Sequence, residues 1–206
     1  MADKRAVYWI GGGSGAGKST IARRLAVENG LQMYDTDAAM GEHAARLTAE
    51  EAPRLARFTA MDMDERWALR TPQDMLDTFH WFRGEGFALI VEDLVRLPAH
   101  PPVVAEGFRL LPHLVAPHLD ARSRAVWLLP TPEFRRAAIE SRGSLWEISG
   151  RTRDPQRALR NLLDRDRMFT ERLSAETARL GLPVIRVETG MTEDVLTARV
   201  AELLEL

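Results

Sequence analysis

The stretch Val7–Thr20, V-Y-W-I-G-G-G-S-G-A-G-K-S-T, constrains what this chain can fold into more than any other. An apolar, β-prone run from Val7 to Ile10 enters a glycine-rich turn, which opens a helix carrying Ile21, Leu25 and Ala26 on its core face. Gly12, Gly17, Lys18 and Ser19 match the pattern G-x-x-x-x-G-K-[ST], with the required strand before and helix after. Glycines there allow torsions closed to other residues, so successive N–H groups converge on one anion. The helix N-terminus adds its unpaired donors and about half a positive charge. The pattern therefore predicts that Gly12, Gly13, Ser14, Gly15, Ala16, Gly17, Lys18, Ser19 and Thr20 cradle the phosphates of a nucleotide such as ATP. Lys18 would reach the β- and γ-phosphates and the Ser19 hydroxyl would ligate Mg²⁺. Lysine occurs only at positions 4 and 18 among 28 basic residues. A coding bias toward arginine does not account for a lysine kept at 18. The need for a compact ammonium inside a tight loop does.

The bulk composition narrows the rest. At 206 residues, 45% hydrophobic and 28% charged, the chain has the makings of one globular domain, or of one domain with an inserted lobe. A net charge of −2 gives no sign of a nucleic-acid or anionic-membrane surface. The absence of cysteine excludes thiolate catalysis, disulfides and cysteine-ligated zinc. The polar start Met1–Arg5 does not read as a signal peptide, and no apolar run approaches the ~20 residues of a membrane span. The expectation is a cytoplasmic protein without nucleic-acid or membrane partners, monomeric or homodimeric.

In chain order, a helix is expected over 18–29, ending at Gly30. A short strand, Leu31–Tyr34, then leads into Asp35-Thr36-Asp37. Ligands of open parallel sheets bind beyond the carboxyl ends of strands, where this acidic pair falls. Asp35 reads as the cap of the following helix and Asp37 as the functional carboxylate. The segment 38–98 reads as mostly helical, with a capping box at Thr48–Glu51 and an N-cap at Thr71-Pro72. An apolar run over 87–97 fits either a strand or a buried helix, its length and the need to cross back favouring helix. It is longer than a crossover needs, so it is expected to form a lobe over the site. Within it Asp62, Asp64, Glu65, Arg66 and Arg70 read better as a solvated face than as acceptor contacts. Val103–Glu106 is a buried strand ending in a carboxylate, where phosphate-loop enzymes place an acidic group near Mg²⁺ or the attacking group. Arg109 follows and could face the same cavity.

A strand over 125–129 precedes a helix opened by Thr131-Pro132, which carries Arg135, Arg136 and Arg142. A break over 143–150 and a long helix from Pro155 follow. Arginines on either side of a glycine-punctuated break suit a lid, about 135–154, that lays cations on a transferring phosphoryl group. Asp164-Arg165-Asp166-Arg167 reads as surface ion pairing. A fifth strand, 183–187, leads to a final helix with Leu196, Val200 and Leu203 inward. Trp67, Trp81, Trp127 and Trp146 read as packing residues, and no histidine pair has metal-ligand spacing.

G-G-S-G-A-G-K-S-T, a strand ending Y-D-T-D, another ending V-V-A-E-G and an arginine-bearing break resemble, in that order, the P-loop kinases of the nucleoside-monophosphate-kinase and small-metabolite-kinase type. The resemblance implies a three-layer α/β P-loop NTPase fold, with a five-stranded parallel sheet in order 2-3-1-4-5. Asp37 is similar in position to the carboxylate of shikimate, gluconate and adenylylsulfate kinases that holds or activates the acceptor hydroxyl. The E-G at 106–107 resembles uridine-kinase-like enzymes. The chain lacks the T-G-D-L-R acceptor signature of true monophosphate kinases. The resemblance implies an ATP- and Mg²⁺-dependent phosphotransferase acting on a small-molecule hydroxyl, with Lys18, Asp37, Glu106, Arg135, Arg136 and Arg142 as candidate catalytic groups and Ser19 and Glu106 as candidate metal ligands. A nucleoside or nucleotide kinase, and a regulatory NTPase with no small acceptor, are the alternatives. Asp37 and Glu106 both remain open as the acceptor-side carboxylate.

Overall fold

Five short strands hydrogen-bond in the order β2-β3-β1-β4-β5, all parallel, as the resemblance implies. The structure is a computed structural model that describes residues 6–142 and 144–206; the side chains of 138–146 are also outside the description. The strands are β1 Val7–Gly12, β2 Gln32–Asp35, β3 Val103–Glu106, β4 Arg124–Pro130 and β5 Val184–Val187. Parallel strands need crossovers, and the chain supplies helices for them on both faces. Helix α1 (Lys18–Asn29) and, after β5, the helix Glu193–Leu204 cover one face. Ile10, Val104, Val126, Leu128 and Ile185 meet Ile21, Leu25, Leu196, Val200 and Leu204 there. The final helix turns Leu204 inward and leaves Leu203 37% exposed, against expectation. The i, i+4, i+8 spacing of 196, 200 and 204 selects that stripe.

The other face packs Trp9, Val103, Ala105, Trp127 and Leu129 against Phe87, Ile90, Leu94, Phe169 and Leu173. Trp127 is fully buried, and its indole N–H donates to the Leu110 carbonyl at 2.9 Å. The expected packing role thus holds for Trp127, Trp81 and Trp67, while the side chain of Trp146 lies outside the described residues.

Between β2 and β3 run α2 (Met40–Arg46), α3 (Pro53–Ala60), a π-type turn at Glu65–Leu69, α4 (Pro72–Thr78) and α5 (Phe87–Arg96). The capping box at Thr48–Glu51 forms its reciprocal hydrogen bonds, but α3 begins only at Pro53. Thr71 caps α4 by accepting from Asp74 N–H. After β3 come α6 (Pro112–Val115), then β4, α7 (Pro132–Arg142), α8 (Ser144–Ser149) and α9 (Pro155–Leu180), with α10 (Glu193–Leu204) after β5. The expected break over 143–150 is mostly helix. Gly143 itself lies outside the described residues, and the chain leaves helical geometry between α8 and the Asp154 cap of α9. None of the described helices is long and apolar enough to cross a membrane.

Candidate active site

The site is built where β1, β2 and β3 end side by side. Parallel register sets Ile10 beside Glu106 and Glu106 beside Asp35, so the phosphate loop and both acidic turns leave the sheet at one level. Gly12 sits at φ +134°, and a Cβ there would lie 2.1 Å from the Leu128 carbonyl oxygen, so a side chain is excluded. No side chain caps α1, whose N-cap is Gly17. Its first amides are left to the hollow of the loop, the arrangement that receives an anion at a helix start. Lys18 is 7% exposed and donates to the Gly13 carbonyl at 2.8 Å, folding its ammonium back over the loop.

The two carboxylates face that ammonium. Asp35 closes a turn rather than capping the expected helix, since α2 starts only at Met40 with Ala39 at its N-cap and no side-chain cap. Its Oδ1 accepts from the N–H groups of Asp37 at 2.8 Å and Ala38 at 3.0 Å. That turn frees Asp37, whose Oδ1 receives only a long contact, 3.4 Å, from the Thr36 hydroxyl. Burial pushes the Asp37 carboxyl above its ordinary range, against the pull of Lys18 and with a further push from Asp35. Glu106 is fully buried. Burial raises its pKa too, while Ser19 and Lys18 pull it down. Neither of its oxygens has a hydrogen bond of good geometry, although the Ser19 hydroxyl lies close enough to be felt. A buried carboxylate left so is costly unless a cation or a donor arrives with a ligand. Gly107 makes the arrangement possible. At φ +147°, a Cβ there would lie 1.8 Å from the Thr36 hydroxyl and 3.1 Å from Asp37 Oδ1.

Arginines flank the loop on the β4 side. Arg135 is 6% exposed and pairs with Asp166 at 2.6 Å; Arg165 is 7% exposed and pairs with the same carboxylate at 2.6 Å. The Arg135 contact is close but poorly aligned, and Arg135 Nε and Arg165 Nη1 have no partner. Arg165 also lies 5.1–5.2 Å from the ring centroids of Trp67, Phe79 and Phe82. One turn on, the Thr170 hydroxyl donates to the Asp166 carbonyl and rests against Gly13. Two buried guanidiniums sharing one carboxylate leave a net positive charge one helical turn from the phosphate loop. Arg136 is exposed on α7, and the Arg142 side chain lies outside the described residues.

Two readings from sequence need correction. Arg165 and Asp166 are not surface ion pairing; only their neighbour Arg167 is, with Asp164 and Glu171. The signal was present: Ala158, Leu162, Phe169 and Leu173 define a buried stripe on α9 that passes through 165 and 166. Arg109 is buried, and its guanidinium is bound by protein rather than offered to a cavity. It donates to the Thr36 carbonyl at 3.1 Å and the Gly86 carbonyl at 3.3 Å, faces His43 Nδ1 at 3.0 Å and stacks 4.1 Å over Trp81. His43 and Asp93 had no sequence signal beyond their residue types. In the lobe segment, Asp64 pairs with Arg153 and Arg66 donates to the Phe58 and Thr59 carbonyls, so both serve as scaffold. A cavity of about 590 Å³ between α3 and α4, lined by Arg57, Met61, Arg70 and Asp77 among others, contains none of these site residues. Orphaned charged groups locate chemistry better than cavity size does.

No protein-family model matches the chain, and no curated protein matches it. Solved structures do. The chain is similar to a shikimate kinase from Bacteroides thetaiotaomicron, with a TM-score of 0.54 and 15% identity over 98% of this chain and 99% of that one. It is similar to a gluconokinase from Sinorhizobium meliloti 1021, with a TM-score of 0.52 and 17% identity over 98% and 94%. It also resembles the deoxyadenosine kinase of M. mycoides with bound dATP, with a TM-score of 0.51 and 13% identity over 97% and 100%. At such identities the likeness is one of fold. The chain has the fold of P-loop kinases of the nucleoside and small-metabolite type.

Proposed function

We propose that this protein is an ATP-dependent phosphotransferase that moves the γ-phosphoryl group to a hydroxyl of a small molecule. One observation carries the reading: Lys18 faces two carboxylates, Asp37 and Glu106, whose burial opposes their charge, and Glu106 has no hydrogen-bonded partner. A regulatory nucleotide switch uses Lys18 and a metal-side carboxylate but has no use for Asp37, whereas transfer to a hydroxyl needs a group to orient the nucleophile and receive its proton.

The residues fit a Mg²⁺ ion. Glu106, with both oxygens unsatisfied, and the neighbouring Ser19 hydroxyl would hold it directly or through water, and a site of one or two protein groups is ordinary for Mg²⁺ bound with phosphates. No group of three or more acidic or histidine ligands that could hold a metal occurs among the described residues. When bound, the ion neutralises charge on the β- and γ-phosphates. Lys18 and the loop amides hold the same phosphates in line. Asp37 orients the acceptor hydroxyl and takes its proton as the acceptor oxygen bonds to γ-phosphorus and the bond to the β-bridging oxygen breaks, releasing ADP. Arg135, buried against Asp166 with its Nε unpartnered, supplies positive charge on the β4 side of the sheet, the side away from β2 and Asp37. Helices α2–α5 cover the acceptor and exclude water.

The test is ATP turnover with and without a library of hydroxyl compounds that includes nucleosides. Stimulation by one class, with a phosphorylated product by mass spectrometry, supports transfer and names the acceptor. Turnover indifferent to every acceptor favours the regulatory NTPase.

A further inference from the structure

Arg109 stands out because a buried cation three residues after Glu106 spends its donors on the protein itself. Its grip has two sides. On one side is the Thr36 carbonyl, at the peptide leading into Asp37. On the other is a set drawn entirely from the segment between β2 and β3: His43 on α2, the Gly86 carbonyl at the start of α5 and the ring of Trp81.

His43 is fully buried and bridges two partners, Arg109 Nη2 at Nδ1 (3.0 Å) and Asp93 Oδ2 at Nε2 (2.7 Å). A guanidinium has only donors, so the nitrogen facing it must carry the lone pair. The proton then sits on Nε2 and is donated to Asp93, which fixes the tautomer. Asp93 in turn accepts from the Tyr34 hydroxyl at 2.7 Å and from Arg46 at 3.3 Å, so β2, α2 and α5 meet on one carboxylate. The hydrogen bonds run Asp93, His43, Arg109, Thr36 and then the turn that Asp35 closes.

We infer that Asp93 and His43 are positioning residues that lock Arg109 against the Thr36 carbonyl, so that folding of the α2–α5 lobe sets the placement of Asp37. The inference rests on the reading of Asp37 as the acceptor-side carboxylate. Among the described hydrogen bonds none of this relay reaches the phosphate loop: Lys18 donates to Gly13, and the first turn of α1 is held by its own backbone. The relay therefore separates acceptor placement from nucleotide binding.

The experiment is amide hydrogen exchange by NMR on the full chain, without nucleotide or acceptor, read at Asp37 and Ala38, whose N–H groups bond to Asp35. His43→Asn keeps an acceptor where Nδ1 stood, facing Arg109, and loses the donor to Asp93. His43→Gln keeps a donor toward Asp93 and loses the acceptor. Arg109→Met removes the strut. Loss of a charge-assisted hydrogen bond should raise exchange at Asp37 and Ala38 by about tenfold or more in His43→Gln and Arg109→Met. His43→Asn, which keeps the bond to Arg109 but gives up the tether to Asp93, should loosen the same amides by an intermediate amount, about threefold. The dissociation constant of ATP·Mg²⁺ should stay within about twofold in all three. In the parent protein, ¹⁵N shifts should report His43 protonated at Nε2. Unchanged exchange in His43→Gln, equal loosening by Asn and Gln, or loosening that spreads equally into α1 would overturn the inference. Because no turnover enters the measurement, a chain that passes it and phosphorylates nothing would sink the proposed function and leave the relay standing.

Discussion

Gly107→Ala tests the geometry around Asp37 most directly. The new Cβ would stand 1.8 Å from the buried Thr36 hydroxyl and 3.1 Å from Asp37 Oδ1, on a backbone at φ +147° that L-residues rarely adopt. Real Cβ contacts stay beyond about 3 Å, so Thr36 must retreat by roughly 1 Å or more, and Asp37 is joined to it. Thr36 is fully buried, its N–H is bound to the Glu106 carbonyl at 3.0 Å and its own carbonyl to Arg109 at 3.1 Å, so the retreat costs hydrogen bonds as well as packing. Overpacking of this kind destabilises by about 1–3 kcal/mol, or a few degrees in Tm for a chain of this size. A displacement of about 1 Å at a group that orients the nucleophile lowers transfer by about 10²-fold. The loop on Gly12–Thr20 is not touched, so ATP·Mg²⁺ affinity by calorimetry should hold within about twofold. Thr36→Ala in the same chain removes the 1.8 Å contact, leaves one at 3.1 Å to the Thr36 Cβ, and should recover part of the transfer rate. A folded Gly107→Ala protein that transfers at the parent rate would refute the claim that the Asp37 turn is held in register for chemistry.

Three further outcomes follow from the site and its surroundings. Lys18→Ala should keep a native circular-dichroism spectrum and lose ATP turnover by at least ~10²-fold, because it deletes the one compact charge at the phosphates and spares the glycines. Turnover near the parent rate would end the phosphate-loop reading. Asp37→Asn keeps shape and removes charge; it should bind ATP·Mg²⁺ normally and lose transfer to the acceptor, and normal transfer would move the acceptor role to Glu106. His80, buried among the rings of Phe58, Phe79 and Trp81, has its pKa pushed from 6.5 down to about 4, chiefly by burial, with Arg109 and Arg66 adding to it. A depressed histidine contributes stability above its unfolded pKa that is lost as pH falls through the folded one. Thermal melts should therefore weaken between pH 6.5 and about 4, by up to about 3 kcal/mol, and His80→Phe should flatten that slope. An unchanged slope in His80→Phe would assign the acid sensitivity to other groups.

The sequence by itself determined the frame. Short-range patterns suffice for that: a strand running into G-G-S-G-A-G-K-S-T, Thr-Pro caps at 71 and 131, and apolar runs of strand length. Each element carries its own signal within a few residues, so β1–β5 and most helices, including the limits Lys18 and Asn29 of α1, were legible before any fold was known. The parallel order 2-3-1-4-5 came from the resemblance of the motifs in series, and the structure has it.

Tertiary structure decided which charges are buried and what they face. Arg165 and Asp166 look like members of a charged run until α9 is laid against the sheet and the aromatic side chains of the lobe close over them. Arg109 looks like a cation for the cavity until α2 and α5 bring His43, Gly86 and Trp81 around it from positions 23 to 66 residues away. Burial and partner choice depend on long-range packing, which no local period encodes. A strand end or a cap is a property of neighbours along the chain. The state of a buried arginine is a property of neighbours across it.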